Sequence, residues 1–218
     1  MTDCPLLHPE GQDGTISKDA VNALPIGRFE GHVHLVRSEH QLAKALHDLK
    51  KEKLLGFDTE TKPTYRKGEF NPVSLLQLAG SRDVYLFQLG LLGLPEGLRG
   101  LLSNPAVVKS GVAIDQDVRQ LAALEPFVPG GFLDLAEWAR ELGIKTGGLR
   151  GLAALLLGFR ISKGARTSNW ARENLTPAQI RYAATDAWVG REIYLAIERL
   201  EKAGVRIESD RQTAEEPS

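Results

Sequence analysis

Carboxylates recur in three short stretches of this chain, at spacings that could assemble a reactive site. In "LLGFDTET" an apolar run ends in Asp58 and Glu60. Side chains at i and i+2 of a strand share a face, so these two carboxylates point together, about 7 Å apart at the backbone. Left unpaired they would repel and raise each other's pKa, which asks for a cation between them. A strand emerging into solvent, each acid paired to a surface Lys or Arg, accounts for the same residues, because Asp-x-Glu is short and common. In "SGVAIDQDVRQLAAL" Asp115 falls where a helix N-cap belongs, and Asp117 lies in the first turn. Asp117 either complements the helix dipole or joins the first pair. In "IRYAATDAWVGREIY" Tyr182 and Asp186 are four apart and share a helical face. Asp186 is surrounded by Ile180, Ala183, Ala184, Ala187, Val189 and Ile193. Burying an unpaired carboxylate there is costly, so Asp186 requires a metal or a distant Arg.

Three acidic sites on separate elements converge only through a fold. Oxygen-only ligand sets suit hard divalent cations, and no Cys/His cluster in the sequence suggests zinc. A pair of Mg²⁺ or Mn²⁺ ions is the arrangement that clamps both oxygens in phosphodiester cleavage.

The elements that must position these acids alternate along the chain. "HVHLV" reads as a strand and "SEHQLAKALHDLKKE" as a helix capped by Ser38. "KLLGFDTET", "NPVSLLQLAG" and "DVYLFQL" read as three strands, with "GSRD" between the last two predicting an antiparallel hairpin. "PEGLRGLLSN" is a helix, "AVVKSGVA" a strand and "DQDVRQLAALE" a helix. "GGFLDLAEWARELG" passes from strand to helix, and "GLRGLAALLLGF" is an apolar helix. The closing helix "TPAQIRYAATDAWVGREIYLAIERLEKAG" has Thr176 as N-cap and Pro177 at its first position. The expected class is α/β, a mixed sheet of five to six strands flanked by helices. Residues 1–31, rich in Gly, Pro, Asp and His, read as a flexible or loosely docked arm, 32–204 as one domain, and 205–218 as a polar tail.

"FDTET", "GVAIDQDVRQL" and "YAATD", in this order, resemble the three motifs of the DEDD superfamily of 3′-5′ exonucleases, in the tyrosine-containing branch of ribonuclease D and the Werner-type exonucleases. The resemblance also takes in "KPTYRKGEFNPVSLLQLAGSRDVYLFQL", "GLRGLAALLLGF" and "ARTSNWARENLTPAQIRYAATDAWVGREIY". It implies a ribonuclease H-like fold and release of nucleoside 5′-monophosphates from the 3′ end of DNA or RNA with two divalent cations, Mg²⁺ or Mn²⁺. Carried onto this chain, it makes Asp58, Glu60, Asp117 and Asp186 the metal ligands and Tyr182 the residue that orients the attacking water. It favours Asp117 over Asp115, because Asp117 occupies the family's acidic slot. A phenol with pKa near 10 suits positioning better than strong base catalysis. "SGVAI" stands where ribonuclease D has an early His, which places the chain nearer the Werner side.

Substrate contacts are expected from "SKGARTSNW", a polar loop in a segment carrying Lys145, Arg150, Arg160, Lys163, Arg166 and Arg172 and no acid. Lys163 and Arg166 are expected to meet phosphates, and Trp170 to stack on a base unless it anchors the core. Thr59 and Thr61 are expected to line the terminal nucleotide pocket. Tyr65, with Lys62, Arg66 and Lys67, forms a second candidate edge. The net charge of −1 excludes attraction of a polyanion by a bulk positive field, so any such partner is held by a local patch. The single cysteine, Cys4, excludes an internal disulfide and fits a reducing compartment. With no apolar run long enough to span a membrane and no secretion signal, the expected location is cytoplasmic. Two other readings compete: a catalytically silent nucleic-acid-binding module of the same fold, and a metal-dependent phosphatase of small esters.

Overall fold

The structure, a computed structural model, describes residues 13–64, 66, 68 and 70–207. Its elements run α1 (Lys18–Ala23), β1 (His32–Val36), α2 (Glu39–Leu49), β2 (Leu54–Thr61), β3 (Val73–Ala79) and β4 (Asp83–Gln88). There follow α3 (Leu89–Leu92), α4 (Glu96–Ser103), β5 (Val108–Gly111), α5 (Asp115–Leu124), β6 (Phe132–Asp134), α6 (Leu135–Glu141), α7 (Leu149–Leu157) and α8 (Pro177–Lys202). The six strands make one mixed sheet in the order β1-β4-β3-β2-β5-β6. β2, β3 and β4 are antiparallel neighbours, β5 and β6 continue parallel to β2, and β1 joins the far edge parallel to β4. The expected mixed sheet is present at the upper end of its predicted strand count.

Strand parity divides the core. Leu55, Phe57, Leu76, Leu78, Tyr85 and Phe87 turn to one face, where residues of α2 and α4 cover them. Leu75, Ala79, Val84 and Leu86 turn to the other, against Ala183, Ala184 and Ala187 of α8. Cover on both faces explains why β3 is mostly apolar and is buried along its whole length. α8 starts with the expected signals: Thr176 and Gln179 form a reciprocal capping box, with Pro177 at the first helical position. No helix among the described residues is long and apolar enough to cross a membrane.

Three features carried no signal in the sequence. The described part of the N-terminal segment is docked: Ser17 caps α1 at Ala20, Gly27 N–H donates to Arg160 O at 2.9 Å, and Lys145 N–H donates to Gly14 O at 2.8 Å. The last two are backbone bonds to distant residues, which side-chain periodicity cannot signal. α3 is one short turn that the sequence reading did not predict. Lys109, inside β5, is fully buried, and its ammonium donates to the carbonyls of Asn104 and Val107, both at 2.8 Å. It closes the C-terminal end of α4, where cations are favoured, and burial lowers its pKa to about 8. Cys4 and the tail from residue 208 lie outside the described residues.

Candidate active site

The acidic constellation depends on a close approach of backbone to backbone. A Cβ on Gly56 would collide with the carbonyl oxygen of Ala187, and one on Gly190 would lie 3.0 Å from Ser110 O. Glycine at both points lets α8 lie almost directly on β2 and its neighbour β5. Asp58 and Glu60, two apart on β2, then project toward Asp186, and one carboxylate oxygen from each of the three lies within 4.8 Å of the others. Asp186 is 5% exposed, and its Oδ1 has no hydrogen-bond partner among the described residues. A buried carboxylate oxygen without a donor is the feature a cation would satisfy. A bulge between Glu60 and Thr61 ends the regular ladder beside the acids.

Asp117 stands apart from this trio. "SGVAI" leads from β5 into α5 through Ala113, a non-glycine residue at φ 58°. That left-handed conformation is unfavourable for alanine and turns the chain sharply at the edge of the site. α5 is capped from outside: Ile114 is the N-cap, and its N–H donates to Asp134 Oδ2 at 3.2 Å. Asp115, expected as the cap, is instead the first helical residue and is exposed. Asp117 is half-buried and accepts a hydrogen bond from the Thr59 hydroxyl, on the β2 face opposite Asp58 and Glu60. Its carboxylate is thus turned toward Thr59, while its charge still acts on Asp58 and Glu60.

Electrostatically the centre is overloaded with negative charge. Burial, then the charges of Asp186 and Asp117, hold Asp58 well above the usual carboxylate range. Burial, then Asp58, push Glu60 up to about 9. Burial pushes Asp186 up to about 7, opposed by the adjacent Tyr182 hydroxyl and by Arg150. Burial also raises Asp117, opposed by the Thr59 hydrogen bond. The Tyr182 phenol is driven far up by burial and by Asp186, so it stays protonated throughout the working pH range. Four oxygen-donor acids with no histidine or thiolate among them fit hard divalent cations.

A cavity of about 250 Å³ opens beside this centre, lined by Arg28, Gly164, Ala165, Arg181, Tyr182 and Asp186. Its N-terminal wall is tied to α8 by Phe29 N–H donating to Thr185 Oγ1 at 3.1 Å. Lys163 and Arg166 are exposed on the loop between α7 and α8, and Arg166 is close enough to Glu60 to oppose its upward shift. Thr61 is half-buried at the bulge. Trp170 corrects the stacking expectation: at 1% exposure it is a core residue, its ring 5.9 Å from that of Tyr182. Arg160 also departs from the phosphate role, because its guanidinium donates to Leu24 O at 3.0 Å and clamps the N-terminal segment. Tyr65 and Lys67 lie outside the described residues.

Three glutamines escaped the sequence reading. Gln77 faces Asp58 across the β2–β3 ladder, is fully buried, and has neither amide atom hydrogen-bonded among the described residues. Gln88 donates to Arg172 O and Glu173 O at 3.2 and 3.0 Å, and Gln179 to Asn169 O at 3.1 Å, which fixes the loop carrying Lys163 and Arg166. Only Gln77 carried a signal, an amide in the middle of a mostly apolar strand.

The family model described as 3′-5′ exonuclease matches residues 33–201. The chain is 36% identical over 147 residues to the mouse bifunctional 3′-5′ exonuclease/ATP-dependent helicase WRN, covering 65% of this chain and 10% of that protein. It is 32% identical over 195 residues to the exonuclease mut-7 homolog of Aedes aegypti, covering 78% of this chain and 27% of that protein. The chain therefore spans about a quarter or less of the length of these relatives. Among solved structures, the Aedes aegypti Nibbler EXO domain superposes with TM-score 0.74 at 30% identity, covering 84% of this chain and 95% of that one. Escherichia coli RNase D, at 20% identity and TM-score 0.67 over 78% of this chain and 46% of that one, shares the fold.

Proposed function

The chain belongs to the 3′-5′ exonuclease family, and on that premise we propose that it hydrolyses DNA or RNA from the 3′ end, releasing nucleoside 5′-monophosphates. The observation that carries this reading is the meeting of Asp58, Glu60 and Asp186, with Asp186 Oδ1 lacking a hydrogen-bond partner among the described residues. In the proposed roles, Asp58, Glu60, Asp117 and Asp186 would hold two divalent cations, Mg²⁺ or Mn²⁺. When bound, such ions neutralise charge at the reacting phosphate and acidify water.

The chain's own groups do the rest. Tyr182, kept protonated by burial and then by its acidic neighbours, orients the attacking water by hydrogen bonding, and buried Trp170 holds its ring in place. Exposed Lys163 and Arg166 meet the backbone phosphates of the strand, with Arg28 and Arg181 along the cavity wall. Thr59 steers Asp117, while Thr61 lies at the bulge where the terminal nucleotide enters.

The deciding experiment incubates the protein with matched 5′-labelled and 3′-labelled DNA and RNA oligonucleotides in Mg²⁺ or Mn²⁺. A ladder shortening from the 3′ end with monophosphate release, blocked by EDTA, is expected. Binding without degradation would leave the silent nucleic-acid-binding module, and release of phosphate from small esters alone would leave the phosphatase. Tyr182→Phe should lower kcat by roughly 10²-fold, the lower end for a lost proton-handling group, with Mn²⁺ affinity unchanged. Loss of Mn²⁺ affinity as severe as that of Asp186→Asn would remove Tyr182 from the positioning role.

A further inference from the structure

At the sheet edge far from the acidic centre, β1 and β4 bring together a second group of donors. His32 and His34 are two apart on β1 and therefore project from the same face. β1 runs parallel to β4 with His32 opposite Asp83 and His34 opposite Tyr85, so Asp83 enters the same face beside the two imidazoles. One potential ligand atom from each of His32, His34 and Asp83 lies within 4.8 Å of the other two. The His32 and His34 ring centroids are 4.2 Å apart. His34 Nε2 stands 3.8 Å from Asp83 Oδ1, beyond hydrogen-bond range. None of the three side chains makes a hydrogen bond among the described residues, so their lone pairs are uncommitted.

The surroundings hold this arrangement in place. His34 stacks on Tyr85 with centroids 4.6 Å apart and planes 9° from parallel. The Tyr85 hydroxyl in turn reaches Asp48 Oδ2 of α2 at 3.4 Å. His32 is exposed while His34 and Asp83 are half-buried, which leaves an open solvent side for entry of an ion and its water. The His-Val-His pair is visible in the sequence, but the carboxylate that completes the group arrives from another strand nearly fifty residues on.

We propose that His32, His34 and Asp83 form a second metal site for a borderline divalent ion of the Zn²⁺, Co²⁺ or Ni²⁺ class. Two imidazoles and one carboxylate suit that class and not Mg²⁺, which seeks an oxygen-rich shell. β3 and β4 separate β1 from β2, so this site shares no residue and no strand with the acidic centre. An ion here cross-links the edge strand to its neighbour, and binding that requires the folded register stabilises the protein.

The test uses the full chain, dialysed against chelator and then equilibrated with Zn²⁺ in a large excess of Mg²⁺. The wild type and Asp58→Asn are each expected to retain one equivalent of Zn²⁺ and to show a higher Tm with it. His32→Gln, at an exposed position where folding is not at risk, and Asp83→Asn should weaken that binding by at least about tenfold. Their Mg²⁺-dependent turnover should stay unchanged. Absence of a retained equivalent in the wild type, its loss in Asp58→Asn, or its full retention in His32→Gln would each overturn the site.

Discussion

Asp58→Asn should cost at least about 10²–10³-fold in kcat, the loss that follows removal of a single preorganised electrostatic group from an active site. The same substitution should raise the Tm of the metal-free protein. Asn is nearly isosteric, and its side-chain oxygen can still accept the Thr59 N–H that Asp58 accepts at 2.9 Å. What it removes is a charge whose ionised form is opposed by burial, by Asp186 and by Asp117. In the metal-free state that charge only destabilises the fold. In the proposed metal-loaded state it would serve as half of the pair on β2 that meets Asp186. Activity and stability should therefore move in opposite directions, the mark of a site strained for function. Paired measurements of turnover in Mn²⁺ and of Tm in EDTA check this, and a Tm that falls together with activity would make Asp58 a structural residue.

Much of this centre was legible because its signals are local. Alternation along β2 put Asp58 and Glu60 on one face, and helical spacing put Tyr182 one turn from Asp186 in apolar surroundings that no acid should occupy without a partner. The resemblance favoured Asp117 over Asp115; in the structure Asp134 caps α5 in place of Asp115, which is exposed, while Asp117 is half-buried against the Thr59 hydroxyl. The illegible parts depend on contacts between distant residues. Gly56 matters because Ala187 O lies against it, and nothing in "LLGFD" announces that helix. Trp170 lies in a polar loop, where exposure is the natural expectation, yet the fold buries it beneath Tyr182. Gln88 and Gln179 anchor that loop through its backbone carbonyls, which have no sequence signature. The N-terminal segment joins the cavity wall through its own backbone N–H groups, Gly27 donating to Arg160 O and Phe29 to Thr185 Oγ1.

The largest effect of solution conditions should come from protons and divalent cations competing for one set of carboxylates. Glu60 is raised from 4.5 to about 9 and Asp186 from 3.8 to about 7, so the folded, metal-free protein holds these protons more tightly than the unfolded chain. Their contribution to stability is complete below the unfolded values, near pH 4, and is lost as pH rises through about 7 and then about 9. Metal-free Tm should decline across that window. A divalent cation replaces the protons, so its stabilisation should be small near about pH 5.5 and large near about pH 8. At a hundred times its Kd the cation contributes about 2.7 kcal/mol, on the order of 5–10 °C in Tm for a domain of this size. Binding at the higher pH should also release protons, measurable as a dependence of the calorimetric heat on buffer ionisation enthalpy. Glu60→Gln removes the group with the highest of the two values and should flatten the upper part of the profile. An equal Tm rise at both pH values, or an unchanged profile in Glu60→Gln, would show that the acids do not hold the cation. Burial of these carboxylates, with the repulsion that Asp58 adds at Glu60, thus has an observable consequence: the empty centre costs stability at the pH where the loaded centre is expected to work.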